Sequence, residues 1–238
     1  MAMILGFSTG ALYGSGLLTK TCLSIFKNLG CNAVELNFVR AKGLLENFEA
    51  TALEDALRGF VHVSFHAPVL IRYGAPDSET REIFARIDDL HRIRPLDLVV
   101  FHPETVVDFQ PFTEVDFPVA FENMDNRKAS CKNAEDIARI LSLSEKFRFV
   151  LDVNHVFTND ETLRLANEFY ERCGARLSQI HLSGYSGYHE PLYLTQQAQI
   201  IRAIRSPNVP IIIESVVSPD TIQKELDYIG QILKVATE

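Results

Sequence analysis

The sequence lacks tryptophan, has only 4 cysteines in 238 residues, and has no apolar run long enough for a membrane span. A spanning helix needs about 20 predominantly apolar residues, but runs such as residues 209–217 are interrupted by Pro210 and Glu214. Residues 1–18 are apolar, but they lack a basic start and contain several glycines, so we interpret them as a first strand and loop rather than a signal peptide. The cysteines fall into no Cys-x-x-Cys or Cys/His spacing, which indicates reduced thiols in a cytoplasmic protein.

Positive charge is also scarce. The chain has 23 Lys and Arg against 31 Asp and Glu, a net charge of -8 at neutral pH. This negative net charge argues against non-specific electrostatic binding to nucleic acid or to an anionic membrane, so we expect no membrane partner. The hydrophobic share of 47% and the charged share of 23% are ordinary for a globular protein, which excludes disorder, collagen and coiled coil. The oligomeric state is left open.

Eight short β-rich segments alternate with helical segments along the whole chain. The predicted strands are residues 4–8, 33–37, 60–66, 96–102, 119–122, 147–152, 177–182 and 210–214. The predicted helices are residues 17–29, 46–57, 77–93, 133–143, 159–173, 192–205 and 219–235, with an irregular connection at 103–112. Strict alternation predicts a parallel sheet covered by helices. Because a (β/α)8 barrel typically needs about 250 residues, we predict an α/β fold, a single TIM-barrel domain over residues 1–238.

Ionisable side chains recur toward the predicted C-terminal ends of the strands, where TIM barrels carry their active sites. On strands two to eight these residues are Glu35, His66, His102, Glu122, Asp152, His181 and Glu214, and His155 and His189 follow in the next loops. A lone histidine at a strand end is more often a hydrogen-bonded cap than a ligand, but buried carboxylates are costly unless something neutralises them. Together the set supplies nitrogen and oxygen ligands suited to Zn, Mn or Fe, or to Mg if only carboxylates bind. We therefore predict a divalent metal site, with Glu35 set aside as a residue that orients a neighbouring group.

Several short motifs occur in a characteristic order. They are Ala33-Val34-Glu35-Leu36, His66-Ala67-Pro68, Phe101-His102-Pro103, Phe121-Glu122-Asn123, Leu151-Asp152-Val153-Asn154-His155, Ile180-His181-Leu182 and Ile213-Glu214-Ser215. In this order the chain resembles the xylose isomerase-like TIM-barrel superfamily, which includes sugar isomerases, sugar epimerases and endonuclease IV. The resemblance to the isomerase and epimerase branch implies four metal ligands, namely Glu122, Asp152, His181 and Glu214.

The endonuclease IV branch implies a larger ligand set for a cluster of three zinc ions. The additional positions that match are His66, His102, His155 and His189. That branch also has an aspartate two residues before the last histidine, whereas this chain has Gly187 there. The resemblance therefore implies one to three divalent ions, of Zn, Mn, Mg, Fe or Co.

Two chemistries suit such a site. The first is a metal-dependent isomerase or epimerase of a sugar or sugar phosphate, in which Glu122 and Glu214 exchange a proton with the substrate. His155, His189 and Arg127 would then hold sugar oxygens. The alternative is a zinc phosphodiesterase of the endonuclease IV type, acting on abasic DNA. The acidic balance, the glycine in place of the aspartate and the compact loops favour the isomerase, and a metal-binding protein without catalysis is a third class.

The mouth of the predicted barrel also carries basic residues. They are Arg40, Lys42, Arg72, Arg127 and Lys128, all in loops that follow strands. They would suit a phosphorylated sugar or a nucleic-acid backbone, and scattered solvated surface charge explains them equally well.

Overall fold

Eight parallel strands close into a barrel in the described part of the chain, residues 3–76, 79–206 and 208–235 of a computed structural model. The strands are β1 Leu5–Ser8, β2 Ala33–Asn37, β3 His62–His66, β4 Leu98–Phe101, β5 Val119–Glu122, β6 Arg148–Asp152, β7 Leu177–Leu182 and β8 Ile211–Ile213. Each strand pairs in parallel with the next, and β8 pairs with β1. The predicted TIM barrel is confirmed, with strand ends within a few residues of the predicted ones.

The helices lie between the strands. They are α1 Thr19–Asn28, α2 Ala41–Asn47, α3 Glu54–Leu57, α4 Thr80–Ile93, α5 Ala134–Ser142, α6 Val153–Asn159, α7 Arg164–Cys173, α8 Leu192–Thr195, α9 Ala198–Arg202 and α10 Ile222–Val235. Short 3-10 helices occur at Thr9–Ser15, Ala50–Leu53, Pro103–Thr105, Gln110–Thr113 and Gly174–Arg176. None of the described helices is long and apolar enough to cross a membrane. The predicted start of the third helix at residue 77 lies outside the described residues.

The longer helices bury an apolar stripe against the barrel. In α4, Ile83, Ile87 and Leu90 are buried at the helical spacing of three and four residues. The start of α5 is capped by Asn133, whose side chain accepts a hydrogen bond from the backbone N–H of Asp136 at 2.9 Å. Such a cap contributes about 1 kcal/mol, which explains why the predicted boundary agrees with the structure here.

The prediction of one helix over residues 159–173 is wrong. Instead, α6 begins directly after β6, because the Asp152 carboxylate accepts a hydrogen bond from the backbone N–H of His155 at 2.9 Å and caps it. Asn159, predicted as a helix start, ends α6, and its amide donates to the carbonyl of Met124 at 2.8 Å. A turn through Leu163, with φ of 57°, then leads into α7. The cap on α6 fixes a predicted metal ligand at the barrel mouth.

Two further predicted helices are interrupted. The one expected over 46–57 is divided because the chain becomes extended at Phe48, with φ of -94° and ψ of 119°. The one expected over 192–205 is divided at Gln196, which adopts the left-handed region with φ of 57°. Periodicity alone does not show such single-residue breaks, because the apolar spacing continues across them.

The barrel interior is apolar on one side and polar on the other. Its apolar part is a cluster of small buried residues on β4, β5 and β6, namely Leu98, Val100, Ala120 and Val150. The opposite part holds the buried polar side chains of Glu35, Ser64 and Gln179. The polar part lies directly beneath the candidate site.

Strands β1 and β2 approach each other closely at Gly6. A Cβ added to Gly6 would lie 1.7 Å from the carbonyl oxygen of Ala33.

Candidate metal centre

Four predicted ligands meet at the C-terminal mouth of the barrel. Glu122 and Asp152 end β5 and β6, His181 lies near the end of β7 opposite Asp152, and Glu214 follows β8. One ligand atom from each lies within 4.8 Å of the others. The Nδ1 atom of His181 lies 2.9 Å from Glu122 Oε1 and 3.5 Å from Glu214 Oε2. Parallel strands that end at one edge therefore place three carboxylates around one imidazole nitrogen.

Two further histidines lie on the other side of Glu122. Its Oε2 atom is 3.5 Å from His66 Nε2 and 3.3 Å from His102 Nε2. Two more groups of potential ligands result, one formed by His66, His102 and Glu122 and the other by His66, His181 and Glu214. Glu122 is therefore shared between two neighbouring groups of ligands.

The side chains present fit a divalent cation. Glu122 Oε2 and Asp152 Oδ2 are buried and have no hydrogen-bond partner, which is costly for carboxylate oxygens unless an ion neutralises them. Ligand atoms about 2.0–2.2 Å from an ion lie at most about 4.4 Å apart. The spacing of up to 4.8 Å among the four ligand atoms is close to this limit. Three carboxylates and an imidazole suit Zn, Mn, Fe or Co.

Glu122 is held in its ionised form. Burial alone would raise the pKa of this carboxyl, but attraction from His181, together with the nearby imidazoles of His102 and His66, outweighs the burial and holds the pKa well below its usual range. At neutral pH the Glu122 carboxylate is therefore a proton acceptor surrounded by imidazole rings.

Glu214 is held in its protonated form. Burial raises the pKa of this carboxyl well above its usual range, and although His181 opposes the shift, the nearby carboxylates of Glu122, Glu35 and Asp152 add to it. The pKa of Asp152 is also raised, to about 6, chiefly by burial. Two glutamates that face the same imidazole thus prefer opposite protonation states.

His102 is supported by an acid that was not predicted from the sequence. Its Nδ1 atom lies 3.6 Å from Oε1 of Glu104, which in turn accepts a hydrogen bond from Lys128 Nζ at 2.6 Å. Burial would lower the pKa of His102, but the nearby carboxylates of Glu104 and Glu122 raise it to about 9. Without a cation, His102 is therefore protonated at neutral pH. The signal for Glu104 was its position two residues after His102, at the same mouth.

His155 and His189 lie beside the four-ligand group, with their ring centroids 5.8 Å apart. His155 Nδ1 lies 2.8 Å from the Asn123 carbonyl oxygen, which only accepts, so Nδ1 carries a proton. The other ring nitrogen, Nε2, lies 3.5 Å from Asp152 Oδ2. His189 Nδ1 pairs with Ser183 Oγ at 2.9 Å, and burial, reinforced by His155, lowers the pKa of His189 to about 3. Neither ring belongs to the groups of potential ligands found among the described residues. Their roles as ligands or substrate contacts stay predictions.

Arg127 lies at the rim of the same mouth. Its guanidinium donates to Asp125 Oδ2 at 2.6 Å and lies 5.4 Å from the centre of the Tyr188 ring. Asp125 also lies 3.9 Å from His155 Nε2 and connects the rim to the centre. Neither Asp125 nor Tyr188 was predicted from the sequence, although both lie in the same loops as residues that were. Because Asp125 pairs with Arg127 and Glu104 with Lys128, two of the five predicted mouth cations are largely neutralised.

Glu35 approaches the centre from below. Its Oε2 atom lies 3.1 Å from His181 Nε2, on the side of the ring that faces away from Glu122 and Glu214. It also accepts hydrogen bonds from Ser64 and Gln179. The contact is the kind expected for a residue that orients a neighbouring group.

Comparisons with known proteins identify the fold. The chain matches no protein-family model and no curated protein sequence. It is similar to the crystal structure of a D-tagatose 3-epimerase-like protein, with a TM-score of 0.74 and 15% identity over 99% of this chain and 98% of the other. Endonuclease IV from Thermus thermophilus gives a TM-score of 0.71 and 17% identity, covering 97% and 98% of the two chains. D-psicose 3-epimerase from Clostridium cellulolyticum gives 0.69 and 12%, covering 97% and 99%.

These likenesses extend over nearly the whole chain in both directions. They show that this chain shares its fold with sugar epimerases and with endonuclease IV. At such low identity the comparison shows the fold alone, so the reaction has to be argued from the residues of this chain.

Proposed function

We propose that this protein is a divalent-metal-dependent isomerase or epimerase of a sugar or sugar phosphate. The observation that carries the proposal is a pair of buried glutamates that meet at one imidazole nitrogen, with Glu122 2.9 Å and Glu214 3.5 Å from His181 Nδ1, in surroundings that shift their pKa values in opposite directions. Paired carboxyl groups whose environments push their pKa values apart are the usual arrangement for a base and an acid that work together. Sugar epimerases of the same fold motivate the choice of substrate class.

The cation would be held by Glu122, Asp152, His181 and Glu214. When bound, it would act as a Lewis acid on the carbonyl and hydroxyl oxygens of the sugar and make the proton on the adjacent carbon more acidic. Glu122 would accept that proton, because its carboxylate is ionised at neutral pH. Glu214 would donate a proton. It lies 3.5 Å from His181 Nδ1, the same ring nitrogen that Glu122 contacts.

The other polar residues of the mouth would hold the substrate. His155 and His189 carry ring nitrogens that are free of backbone contacts, and the Arg127 guanidinium is fixed at the rim by Asp125. These groups would donate to or accept from sugar hydroxyls and, at Arg127, a phosphate. Substrate held in this way would be oriented before proton transfer begins.

The test is proton exchange, because it does not require the product to be known. The protein, loaded with Mn or Zn, is incubated in D2O with a panel of ketoses and ketose phosphates, and proton NMR follows the hydrogen beside the carbonyl. We expect deuterium to replace this hydrogen for at least one sugar with the wild type and not with Glu122→Gln, which lacks the base. Exchange that proceeds at the wild-type rate in Glu122→Gln would refute the mechanism.

One observation favours phosphodiester hydrolysis as a second candidate. His66 and His102 both direct Nε2 toward the unpartnered oxygen of Glu122, so that this carboxylate could be shared by two cations. Two cations about 3.5–4 Å apart are the arrangement that many phosphate-cleaving enzymes use. The net charge of -8 and the paired cations at the mouth weigh against a nucleic-acid substrate.

The two candidates separate on one substrate. A DNA duplex with a single abasic site is incubated with the zinc-loaded protein, and strand cleavage is followed on a denaturing gel. We expect no cleavage if the protein is an isomerase. Cleavage that disappears in His66→Ala and His102→Ala would assign the protein to the hydrolases.

A further inference from the structure

A string of buried polar side chains continues downward from the metal centre through the barrel interior. Glu35 Oε2 accepts from Ser64 Oγ at 3.0 Å and from Gln179 Nε2 at 2.8 Å, and it lies 3.1 Å from His181 Nε2. The Gln179 carbonyl oxygen lies 2.7 Å from His62 Nε2, near the opposite end of the barrel. Barrel interiors are normally filled by branched apolar residues, so four polar residues below an active-site histidine require an explanation.

The two nitrogens of His181 face different surroundings. Nδ1 faces the carboxylates of Glu122 and Glu214, so a cation held there needs the lone pair of Nδ1. In a neutral imidazole the proton must then be on Nε2. Nε2 has two close neighbours, the Glu35 carboxylate and, at 2.8 Å, the amide nitrogen of Gln179.

These two neighbours favour opposite tautomers of the ring. A carboxylate only accepts hydrogen bonds, so Glu35 favours a proton on Nε2. An amide nitrogen only donates, so Gln179 favours a bare Nε2 and hence a proton on Nδ1, where it would block the ligand atom. The tautomer therefore depends on which contact prevails.

We propose that Glu35 is a positioning residue that keeps the ring proton of His181 on Nε2 and so leaves Nδ1 free to bind the cation. The proposal rests on the metal centre proposed above, but not on the reaction performed there. The asymmetry of the Glu35 carboxylate supports it, since Oε2 has three donors around it and Oε1 is buried without a partner.

Because only Oε2 of Glu35 has partners, glutamine can replace Glu35 as a conservative variant. In Glu35→Gln, the amide oxygen would take the place of Oε2, because Ser64 and Gln179 require an acceptor there, and the new NH2 would take the unpartnered place. This variant still accepts from His181. Glu35→Leu, of similar size, has no acceptor and leaves Gln179 as the polar neighbour of Nε2.

Zinc affinity, measured by competition with a chromophoric chelator, tests the proposal without any substrate. We expect Glu35→Leu to bind zinc about 10–100-fold more weakly than the wild type, and Glu35→Gln to stay within about threefold of it. Glu35→Leu combined with Gln179→Leu should regain part of the loss, because the opposing donor has been removed. Wild-type affinity in Glu35→Leu, or equal losses in the Leu and Gln variants, would overturn the proposal.

Glu225→Gln is the matched control. Glu225 is fully buried and accepts from the backbone N–H groups of Leu192 and Tyr193 and from Ser215 Oγ, but no hydrogen bond joins it to an imidazole among the described residues. This variant should lose thermal stability without losing zinc affinity. A loss of affinity like that of Glu35→Leu would mean that any buried carboxylate matters equally, and the proposal would fall.

A measurement on the wild type avoids any question of variant folding. Long-range 1H–15N NMR of the zinc-loaded protein, with His181 assigned, reports which ring nitrogen carries the proton. We expect a protonated Nε2 and a zinc-bound Nδ1, whereas a protonated Nδ1 would overturn the proposal. If the wild type binds no divalent cation, the metal centre and the positioning role both fail, whereas tight binding without turnover refutes only the proposed reaction.

Discussion

Because Glu122 is ionised and Glu214 is protonated, replacing each with glutamine should change the stability of the protein by different amounts. The difference can be measured without substrate and without metal. In the metal-free protein, the Glu122 carboxylate lies 2.9 Å from His181 Nδ1 and 3.3 Å from His102 Nε2. Burial lowers the pKa of both rings, but the neighbouring carboxylates outweigh it and raise the pKa. Both rings therefore carry positive charge at neutral pH. Glu122→Gln removes the negative charge that these two rings share.

The expected magnitudes differ between the two variants. Breaking a buried ion pair by removing one partner costs about 3–5 kcal/mol. For a protein of about this size, 1 kcal/mol corresponds to a melting-temperature shift of roughly 2–4 °C, so Glu122→Gln should lower Tm by roughly 10 °C. Glu214 is already neutral, and glutamine closely matches a protonated carboxyl in shape. We therefore expect Glu214→Gln to change Tm by no more than roughly 2 °C.

Thermal unfolding in the presence of a chelator at pH 7, followed by circular dichroism, measures both shifts. The same two variants, loaded with metal, should each lose about 10²–10⁴-fold in turnover, because each lacks one partner of the proton transfer. Equal destabilisation by the two substitutions would refute the reasoning. It would mean that Glu214 is ionised in the folded protein and that the assignment of base and acid is wrong.

Three further predictions concern pH, the strand packing and the rim. Because the pKa of His102 rises from 6.5 to about 9 on folding, its stabilisation is present below pH 6.5 and lost as pH rises through about 9. The unfolding free energy of the metal-free protein should fall by about 3 kcal/mol over that window, and an unchanged fall in His102→Asn would contradict this. Gly6→Ala should abolish soluble expression, whereas Gly14→Ala, where an added Cβ meets nothing within 4 Å, should not. Arg127→Ala should raise KM by about 10-fold with little change in kcat, and an unchanged KM would remove Arg127 from the substrate site.

The strands and the mouth could be predicted because the signals are local. Each barrel strand is a short apolar run, and a polar residue at its C-terminal end, such as Glu122 or Asp152, lies at the mouth in any barrel of this kind. The predicted helix starts were less accurate where a polar side chain could either cap the start of a helix or lie at its end. Asp152 caps α6, which the apolar pattern did not indicate, and Asn159 consequently ends a helix instead of starting one.

Apart from Glu35, the polar residues beneath the site, Ser64, Gln179 and His62, were missed for a different reason. Alternation on β3 places His62, Ser64 and His66 on one face, and alternation on β7 does the same for Gln179 and His181. This period of two was visible in the sequence. Which face points into the barrel, and which strands oppose each other across it, depend on closure and register, and these come only from the assembled structure.

Metal content tests the central claim most directly. The wild type and Asp152→Ala are purified without chelator, reconstituted with Mn or Zn, desalted and analysed for metal per chain. We predict one divalent cation per chain for the wild type and almost none for Asp152→Ala, since Asp152 is one of four ligands and its unpartnered oxygen requires neutralisation. A wild type without stoichiometric metal would contradict the metal centre itself. Two or three zinc ions per chain would contradict the isomerase and support the hydrolase.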